Sequence, residues 1–303
     1  MLPFARITII GLGLIGSSVA RATRKAMPTA RITAYDADPA VRETVRALDL
    51  ADDVADTAGA SVIDADFVIL CVPVGAMGAV AAEFADDLPA EAIVSDVGSC
   101  KGSVLAALTE ALPGATIIPA HPVAGTERSG PEAGFATLFQ KRWCIVTPPE
   151  GADALAVERV AEFWRRLGAD VELMAPDHHD RVLAVTSHLP HLIAYTIVGT
   201  ASDLEEVTQS EVIKYSAGGF RDFTRIAASD PTMWRDVFLT NREAVLEMLQ
   251  RFSEDLSQLQ RAIRWGKGDE LFDLFSRTRT IRRSIIDQGQ DDAREDFGRN
   301  HEG

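Results

Sequence analysis

A histidine heads the run His121-Pro-Val-Ala-Gly-Thr126-Glu127, directly after an apolar segment, Thr116–Ala120, that reads as a strand. Neutral imidazole has an unperturbed pKa near 6.5, so a His held at a strand end is suited to accept a proton at neutral pH. Upstream, Ser-Asp-Val-Gly-Ser99-Cys-Lys follows another strand candidate, Ile93–Asp96. Ser99 stands where a helix should start, and its hydroxyl either faces the cleft or caps that helix. Downstream, Ser187-His188-Leu-Pro-His191 interrupts a stretch that is otherwise apolar and helical in pattern. Two imidazoles on a buried helix are costly without partners, and Pro190 predicts a kink there. His188 and His191 lie three apart and can share a face. With no His-Glu-x-x-His pattern and no matching Cys or carboxylate group, no metal site is expected. Gly218-Gly-Phe-Arg221-Asp222-Phe-Thr-Arg225 reads as a glycine-led turn, with Trp234 close behind. The planar guanidinium binds both oxygens of a carboxylate. One of Arg221 and Arg225 is expected to bind such a group, and the other to form a surface ion pair such as Arg–Asp within the loop.

The cofactor signal lies at the beginning. Gly11-Leu12-Gly13-Leu14-Ile15-Gly16 follows a strand candidate, Arg6–Ile10, and opens a helix, and Asp36 closes the second strand 20 residues past Gly16. Gly11 permits a tight turn, Gly13 lets the backbone approach a pyrophosphate, and Gly16 lets helix and strand pack closely. The helix N-terminus supplies N–H donors and the positive end of its dipole. Asp36 can accept hydrogen bonds from a ribose, and its charge repels a 2′-phosphate, so the loop predicts NAD over NADP. Val72-Pro73 ends the apolar run Phe67–Val72 and reads equally as strand termination or as cofactor contact.

These residues need a scaffold that brings strand ends together. Strand candidates at 6–10, 31–35, 67–72, 93–96, 116–120, 143–146 and 171–173 alternate with helical patterns such as Ile15–Lys25, Pro39–Leu48, Val74–Phe84 and Lys101–Leu112. The alternation predicts an α/β, Rossmann-type doubly wound, mostly parallel sheet over residues 1–176. Ligands then sit beyond the strands' carboxyl ends. From about Pro176 strand-like runs give way to helical periodicity, predicting an all-α domain over 177–287. Within it Asp180–Ala201 reads as a buried helix. Val245, Leu246, Leu249, Phe252, Leu256, Leu259 and Ile263 recur at spacings of three and four along one amphipathic face. So long a seam is either core packing or, as we expect, a homodimer interface. Residues 288–303 are polar and charged, which predicts a disordered tail.

Composition bounds the partners. The net charge of −15 and pI near 4.8 disfavour nucleic acid and anionic membrane surfaces. The three cysteines form no Cys-x-x-Cys pair, which fits a reduced, cytoplasmic protein. No targeting segment and no membrane-spanning window is expected.

Taken in order along the chain, GLGLIG at 11–16, DVGSCKG at 96–102, HPVAGTE at 121–127 followed by SGP, SHLPH at 187–191 and GGFRDFTRIA at 218–227 resemble the prephenate/arogenate (cyclohexadienyl) dehydrogenases. The resemblance implies NAD-dependent oxidative decarboxylation of prephenate and/or arogenate to 4-hydroxyphenylpyruvate and/or tyrosine, by a nucleotide-binding domain followed by a helical dimerisation domain. It implies His121 as catalytic base and Ser99 as its orienting partner at the substrate hydroxyl. Arg225 would bind a carboxylate and His191 the side-chain end, with Thr126, Glu127, Ser187, His188, Asp222 and Trp234 lining or gating the pocket. No mutase segment precedes the glycine loop, and the tail is too short for a regulatory domain, so a monofunctional form is expected. The rival reading is another Rossmann-plus-helical enzyme, a β-hydroxyacid dehydrogenase or imine reductase. The former typically carries a catalytic Lys on the first long helix, and Arg181–Ala201 contains none.

Overall fold

Strand β4, Phe67–Leu70, is apolar and buried at every position, as a parallel strand covered on both faces must be. It lies between β1 (Arg6–Ile10) and β5 (Ile93–Asp96) in a parallel sheet of order β3-β2-β1-β4-β5-β6. β2 (Arg31–Tyr35), β3 (Asp53–Val54) and β6 (Thr116–Ile117) complete that sheet. This is a computed structural model. It describes residues 2–126, 128–208 and 218–287, and the chain divides into two compact units, Met1–Leu246 and Glu247–Gly303.

Successive residues of a strand face opposite sides, and β4 divides accordingly. Phe67 and Ile69 join a core cluster with Phe4, Val19, Ile32, Phe163 and Trp164. Val68 and Leu70 join another with Met77, Phe84, Val104 and Leu108. Helices α1 (Leu14–Ala26), α2 (Pro39–Ala47) and α6 (Ala154–Arg166) supply the first cluster. The second draws on α3 (Ala58–Val62), α4 (Met77–Ala82) and α5 (Gly102–Ala111). The sheet is therefore doubly wound, as the alternation predicts. Phe4 stacks on Phe67 with centroids 4.0 Å apart, and Phe163 meets Phe67 edge-on at 5.1 Å. Polar residues mark the helix starts. Asp38 accepts from Ala40 N–H ahead of Pro39 at the first turn of α2, and Asp153 accepts from Leu155 and Ala156 N–H at α6, the expected capping chemistry.

The structure corrects the reading of the later strands. The segment 116–120 is not one strand. It breaks after β6, and the chain enters a second, three-stranded sheet of order β7-β8-β9, formed by β7 (Ala120–Pro122), β8 (Trp143–Val146) and β9 (Asp170–Leu173). β7 runs antiparallel to β8, with His121 opposite Ile145. His121 thus lies inside an antiparallel strand rather than at the tip of a parallel one. Pro119 and Pro122 flank it, and the Pro119 carbonyl accepts from Thr147 N–H at 2.9 Å, so the break forms where proline removes ladder donors.

Beyond β9 the first unit is helical. α7 (Pro176–Leu183) leads through a π-turn, Ala184–His188, into α8 (Leu189–Thr208). Where the sequence predicts a kink at Pro190, the chain forms this wider turn just before it, and Pro190 lies in the first turn of α8. Residues 218–224 form a helix, α9 (Gly218–Thr224), followed by a 3₁₀ turn, Arg225–Ala228, so the glycine-led turn is helical instead. α10 (Pro231–Thr240) and the start of α11 (Arg242–Arg264) complete the unit. Contrary to expectation, Pro176–Asp203 does contain an 18-residue window with mean hydropathy 1.4, long and apolar enough to cross a membrane by length and composition; 22% of that window is buried.

The second unit holds the rest of α11 and α12 (Gly268–Asp287). Much of the predicted apolar face is uncovered. Val245 is buried, but Leu246, Leu256 and Ile263 are 52%, 48% and 66% exposed, as are Phe272 and Phe275 on α12 at 71% and 56%. The tail 288–303 lies outside the described residues.

The ring stack beneath the sheet gives a direct stability test. Truncating a buried Phe leaves a cavity and loses transfer energy, so Phe67→Ala should lower the unfolding free energy by about 3–5 kcal/mol, read by urea denaturation at fixed protein concentration. A loss under about 1 kcal/mol would show that the stack carries little of the core.

Candidate active site

The glycine loop turns directly off β1. Gly11 has φ +91°, and a Cβ there would lie 2.6 Å from the Cys71 carbonyl and 2.9 Å from Val72 Cγ1. At Gly16 a Cβ would fall 1.9 Å from the Gly11 carbonyl. A Cβ at Gly13 meets nothing within 4 Å, and no side chain caps α1. A cradle that one methyl group would begin to fill, at an uncapped helix N-terminus, fits a pyrophosphate. Leu14 and Ile15 form the first turn of α1. Val72 abuts the loop at the switch point between β1 and β4, while Pro73 is exposed and precedes a 3₁₀ turn. Asp36 accepts from Leu12 N–H at 2.8 Å and Asp38 N–H at 3.0 Å. The helix cap of α2 is Asp38, so Asp36 serves the loop, with lone pairs left for hydroxyl donors.

Beyond β5 two buried charges organise the turn into α5. The Lys101 ammonium meets both carboxylate oxygens of Asp96 and donates to the Ala120 carbonyl at 2.8 Å, and both residues are fully buried. Lys101 thereby ties the end of β5 to the start of β7. The first amides of α5 are claimed from a distance: Lys101 N–H donates to Asp180 Oδ1 at 2.7 Å and Gly102 N–H to Asp180 Oδ2 at 2.9 Å. Asp180 on α7 therefore takes the capping position. Ser99, half-buried ahead of it, does not cap α5, which removes that alternative for its hydroxyl.

From Asp180 a line of rings runs to His121. His179 Nδ1 lies 2.9 Å from Asp180 Oδ1, and His179 Nε2 lies 2.9 Å from His121 Nδ1. Asn241 extends the network, with its Nδ2 donating to the Asp180 carbonyl at 2.8 Å and lying 3.0 Å from His188 Nδ1. His188 meets the Trp234 ring edge-on at 6.0 Å, and His191 stacks on the same ring at 3.6 Å. His191 Nδ1 lies 2.8 Å from the Ser187 carbonyl inside the π-turn. His121, Ser187, His188, His191 and Trp234 therefore share one connected cluster. Burial lowers the His191 imidazole, the Ser187 carbonyl partly offsets this, and the nearby Arg225 guanidinium adds to the lowering. Thr126 and Asp222 are exposed and outside the cluster's hydrogen bonds, and Glu127 lies outside the described residues.

Electrostatics set the protonation states. Burial pushes His121 well below the usual imidazole range, and the neighbouring His179, Lys101 and His188 push the same way. His179 is lowered by burial, which Asp180 partly offsets. His188 falls to about 4 through burial and the adjacent histidines. Burial alone would raise Asp180, but hydrogen bonds from His179 and from Gly102 and Lys101 N–H outweigh it and hold the carboxyl low. The cluster thus consists of neutral imidazoles around one carboxylate. Sequence reading missed His179, Asp180, Lys101, Asp96 and Asn241. The one available signal was the polar run Asp177–Asp180 ahead of an apolar helix, which is as easily read as a solvated helix start.

A parallel sheet of this order, with a glycine cradle at its switch point and a buried, neutral imidazole nearby, fits a dinucleotide-dependent dehydrogenase. Residues 19–173 match the family model for prephenate dehydrogenase, nucleotide-binding domain, and 175–277 that for prephenate dehydrogenase, dimerization domain. The cyclohexadienyl dehydrogenase of Zymomonas mobilis is 46% identical over 94% of this chain and 97% of its own length. A solved prephenate dehydrogenase from A. aeolicus, in complex with hydroxyphenyl propionate and NAD+, superposes with TM-score 0.87 at 33% identity, over 94% of this chain and 98% of that one. A Synechocystis arogenate dehydrogenase gives TM-score 0.79 at 25% identity, over 92% of this chain and 99% of that one. The chain belongs to the prephenate dehydrogenase family, a family of oxidoreductases.

The neutral imidazoles make stability depend on pH. Folded His121, His179 and His188 resist protonation, whereas the unfolded chain takes up protons below about pH 6.5. The unfolded state therefore binds more protons, and stability falls with pH until His188 charges in the folded protein at about 4. We expect the unfolding free energy to drop by on the order of 2–3 kcal/mol from His188 alone between these limits. His188→Gln should flatten that slope in urea titrations, and an unchanged slope would show His188 charged when folded.

Proposed function

We propose that this chain catalyses the NAD-dependent oxidative decarboxylation of prephenate and/or arogenate, giving 4-hydroxyphenylpyruvate and/or tyrosine, in tyrosine biosynthesis. The observation that carries this reading is the 46% identity with a cyclohexadienyl dehydrogenase across nearly the full chain. Prephenate and arogenate are cyclohexadienes with a C4 hydroxyl and a ring carboxylate. NAD, held by Gly11, Gly13, Gly16 and Asp36 with Leu14, Ile15, Val72 and Pro73 alongside, supplies the hydride acceptor. His121 receives the hydroxyl proton, and Ser99 orients that hydroxyl. The ring then loses its carboxylate as CO2 and becomes aromatic, so the protein's task is positioning, a base and the exclusion of water. Arg225 binds a substrate carboxylate and His191 the side-chain end, its ring fixed by the Trp234 stack. Thr126, Glu127, Ser187, His188 and Asp222 line or gate the entry.

The domain division runs at about residue 176, between the two family matches, with a tail beyond 287. The uncovered apolar face of α11 and α12 is closed by a second copy of the chain, making a homodimer. The enzyme works in the cytoplasm on a small molecule, with no nucleic-acid or membrane partner.

NADH formation with prephenate and with arogenate tests the activity, and turnover of neither would overturn it. His121→Asn, which retains polarity but not basicity, should lower kcat by about 10²–10⁴-fold while NAD binding holds. Near wild-type kcat would remove His121 as the base. For cofactor choice, Asp36→Ser should narrow the NAD/NADP preference in kcat/KM by about tenfold, or about 1.4 kcal/mol. Equal use of both cofactors by the unaltered enzyme would sink the role given to Asp36.

A further inference from the structure

Resting on the dehydrogenase reading above, we propose that Asp180 and His179 are positioning residues that fix the tautomer of His121 and take over the proton it accepts. The hydrogen positions follow from the end of the chain that is unambiguous. Two backbone N–H groups, of Lys101 and Gly102, point at the two oxygens of Asp180, and a backbone amide can only donate. Asp180 is therefore an acceptor at both oxygens. Its carboxyl is held low by these donors, so it is ionised at neutral pH, and His179 Nδ1, 2.9 Å away, must carry the hydrogen. A neutral His179 then has a bare Nε2, which accepts from His121 Nδ1 at 2.9 Å. His121 in turn is protonated at Nδ1 and bare at Nε2. One carboxylate, two rings away, thus selects Nε2 of His121 as the basic atom.

The same line moves charge. When His121 Nε2 takes the substrate's hydroxyl proton, the ring becomes an imidazolium. Its Nδ1–H bond breaks as an N–H bond forms at His179 Nε2. His121 is left neutral with the new proton on Nε2, and the positive charge rests on His179 beside the Asp180 carboxylate. Loss of the Nε2 proton to water and return of the proton from His179 close the cycle, with no electrons exchanged. The need for this step lies in the surroundings of His121. Lys101 at the start of α5, with Asp96 of β5 as counter-ion, and His188 of the π-turn act on it through their charges, and Cys144 on β8 pairs with the adjacent Pro122. Asp177 of α7 borders Gly102, and Asn241 adds an uncharged amide. None of these stabilises an imidazolium at His121 as Asp180 does one at His179, and burial opposes the charge at His121 most strongly.

Histidine ring nitrogens report tautomers directly. Long-range ¹H–¹⁵N correlation of the NAD-loaded, full-length protein near pH 7.5, assigned with His121→Asn and His179→Asn, should show both rings protonated at Nδ1. His121 protonated at Nε2 would overturn the proposal, whatever the enzyme's activity. Asp180→Asn supplies the kinetic arm. It should lower kcat by about 10²-fold or more, with KM for NAD changed less than twofold. The acid limb of kcat should move to lower pH by about one unit, because a cation that loses its carboxylate is harder to form. Asp180 also caps α5, and a purely structural loss would lower the melting temperature and the active fraction while leaving the limb in place. An unmoved limb therefore overturns the relay. Absence of wild-type turnover with either substrate would instead overturn the underlying reading, and the tautomer measurement separates the two failures.

Discussion

The Asp180 carboxylate spans the first two amides of α5 and, through His179, reaches into the second sheet. Burying a carboxylate costs several kcal/mol unless donors replace its water, and here three donors do so. That requirement fixes α7 against the β5–α5 turn and turns His179 toward His121. The helix N-terminus, which elsewhere attracts a ligand anion, is committed here to an internal one. A buried ion pair, Asp96 with Lys101, anchors the same turn, with Lys101 also donating to the Ala120 carbonyl. Between them the Asp180 carboxylate and this ion pair hold β5, α5, β7 and α7 in one arrangement. Buried ion pairs contribute weakly to stability compared with apolar replacements, so what these provide is placement.

The cofactor cradle stands at a strand end of the parallel sheet, and His121 lies on β7 of the second sheet. The order reverses between β1 and β4, which opens the crevice where the glycine loop and Val72 meet. β5, the next strand along, ends in Asp96 and leads to Ser99 and Lys101. The link from that turn to His121 is Lys101, which donates to the Ala120 carbonyl at the start of β7. The histidines are kept neutral by burial and by one another, which suits an acceptor of protons and disfavours anion binding. The Arg225 guanidinium lies near enough to His191 to act on it through its charge.

The helical part leaves more apolar surface than one chain covers. Ile263, Phe272 and Phe275 are each more than half exposed, and large exposed apolar patches mark interaction surfaces. The apolar window within Pro176–Asp203 belongs to the same pattern. It is as apolar as a membrane helix, yet it carries His188 and His191 in the candidate active site and lies within the match to a dimerization domain.

The sequence by itself determined the doubly wound sheet, because strand and helix periods differ and β4 tolerates no polar residue on either face. It determined the nucleotide loop as well, since Gly11, Gly13 and Gly16 fall between a strand and a helix with Asp36 closing the next strand. It singled out His121, His191 and Trp234 by their unusual company. It did not disclose that residues 116–120 split between two sheets, since periodicity reports burial and not which neighbour a strand pairs with. Nor did it disclose the partners of His121. His179 and Asp180 lie 58 and 59 positions away, in a polar segment indistinguishable from a solvated helix start. Sequence left open whether Ser99 caps α5, and only the tertiary structure gave that position to Asp180. Local patterns encode which face of an element is apolar. Which two elements then share a buried charge depends on long-range packing, and that was decided only in the folded chain.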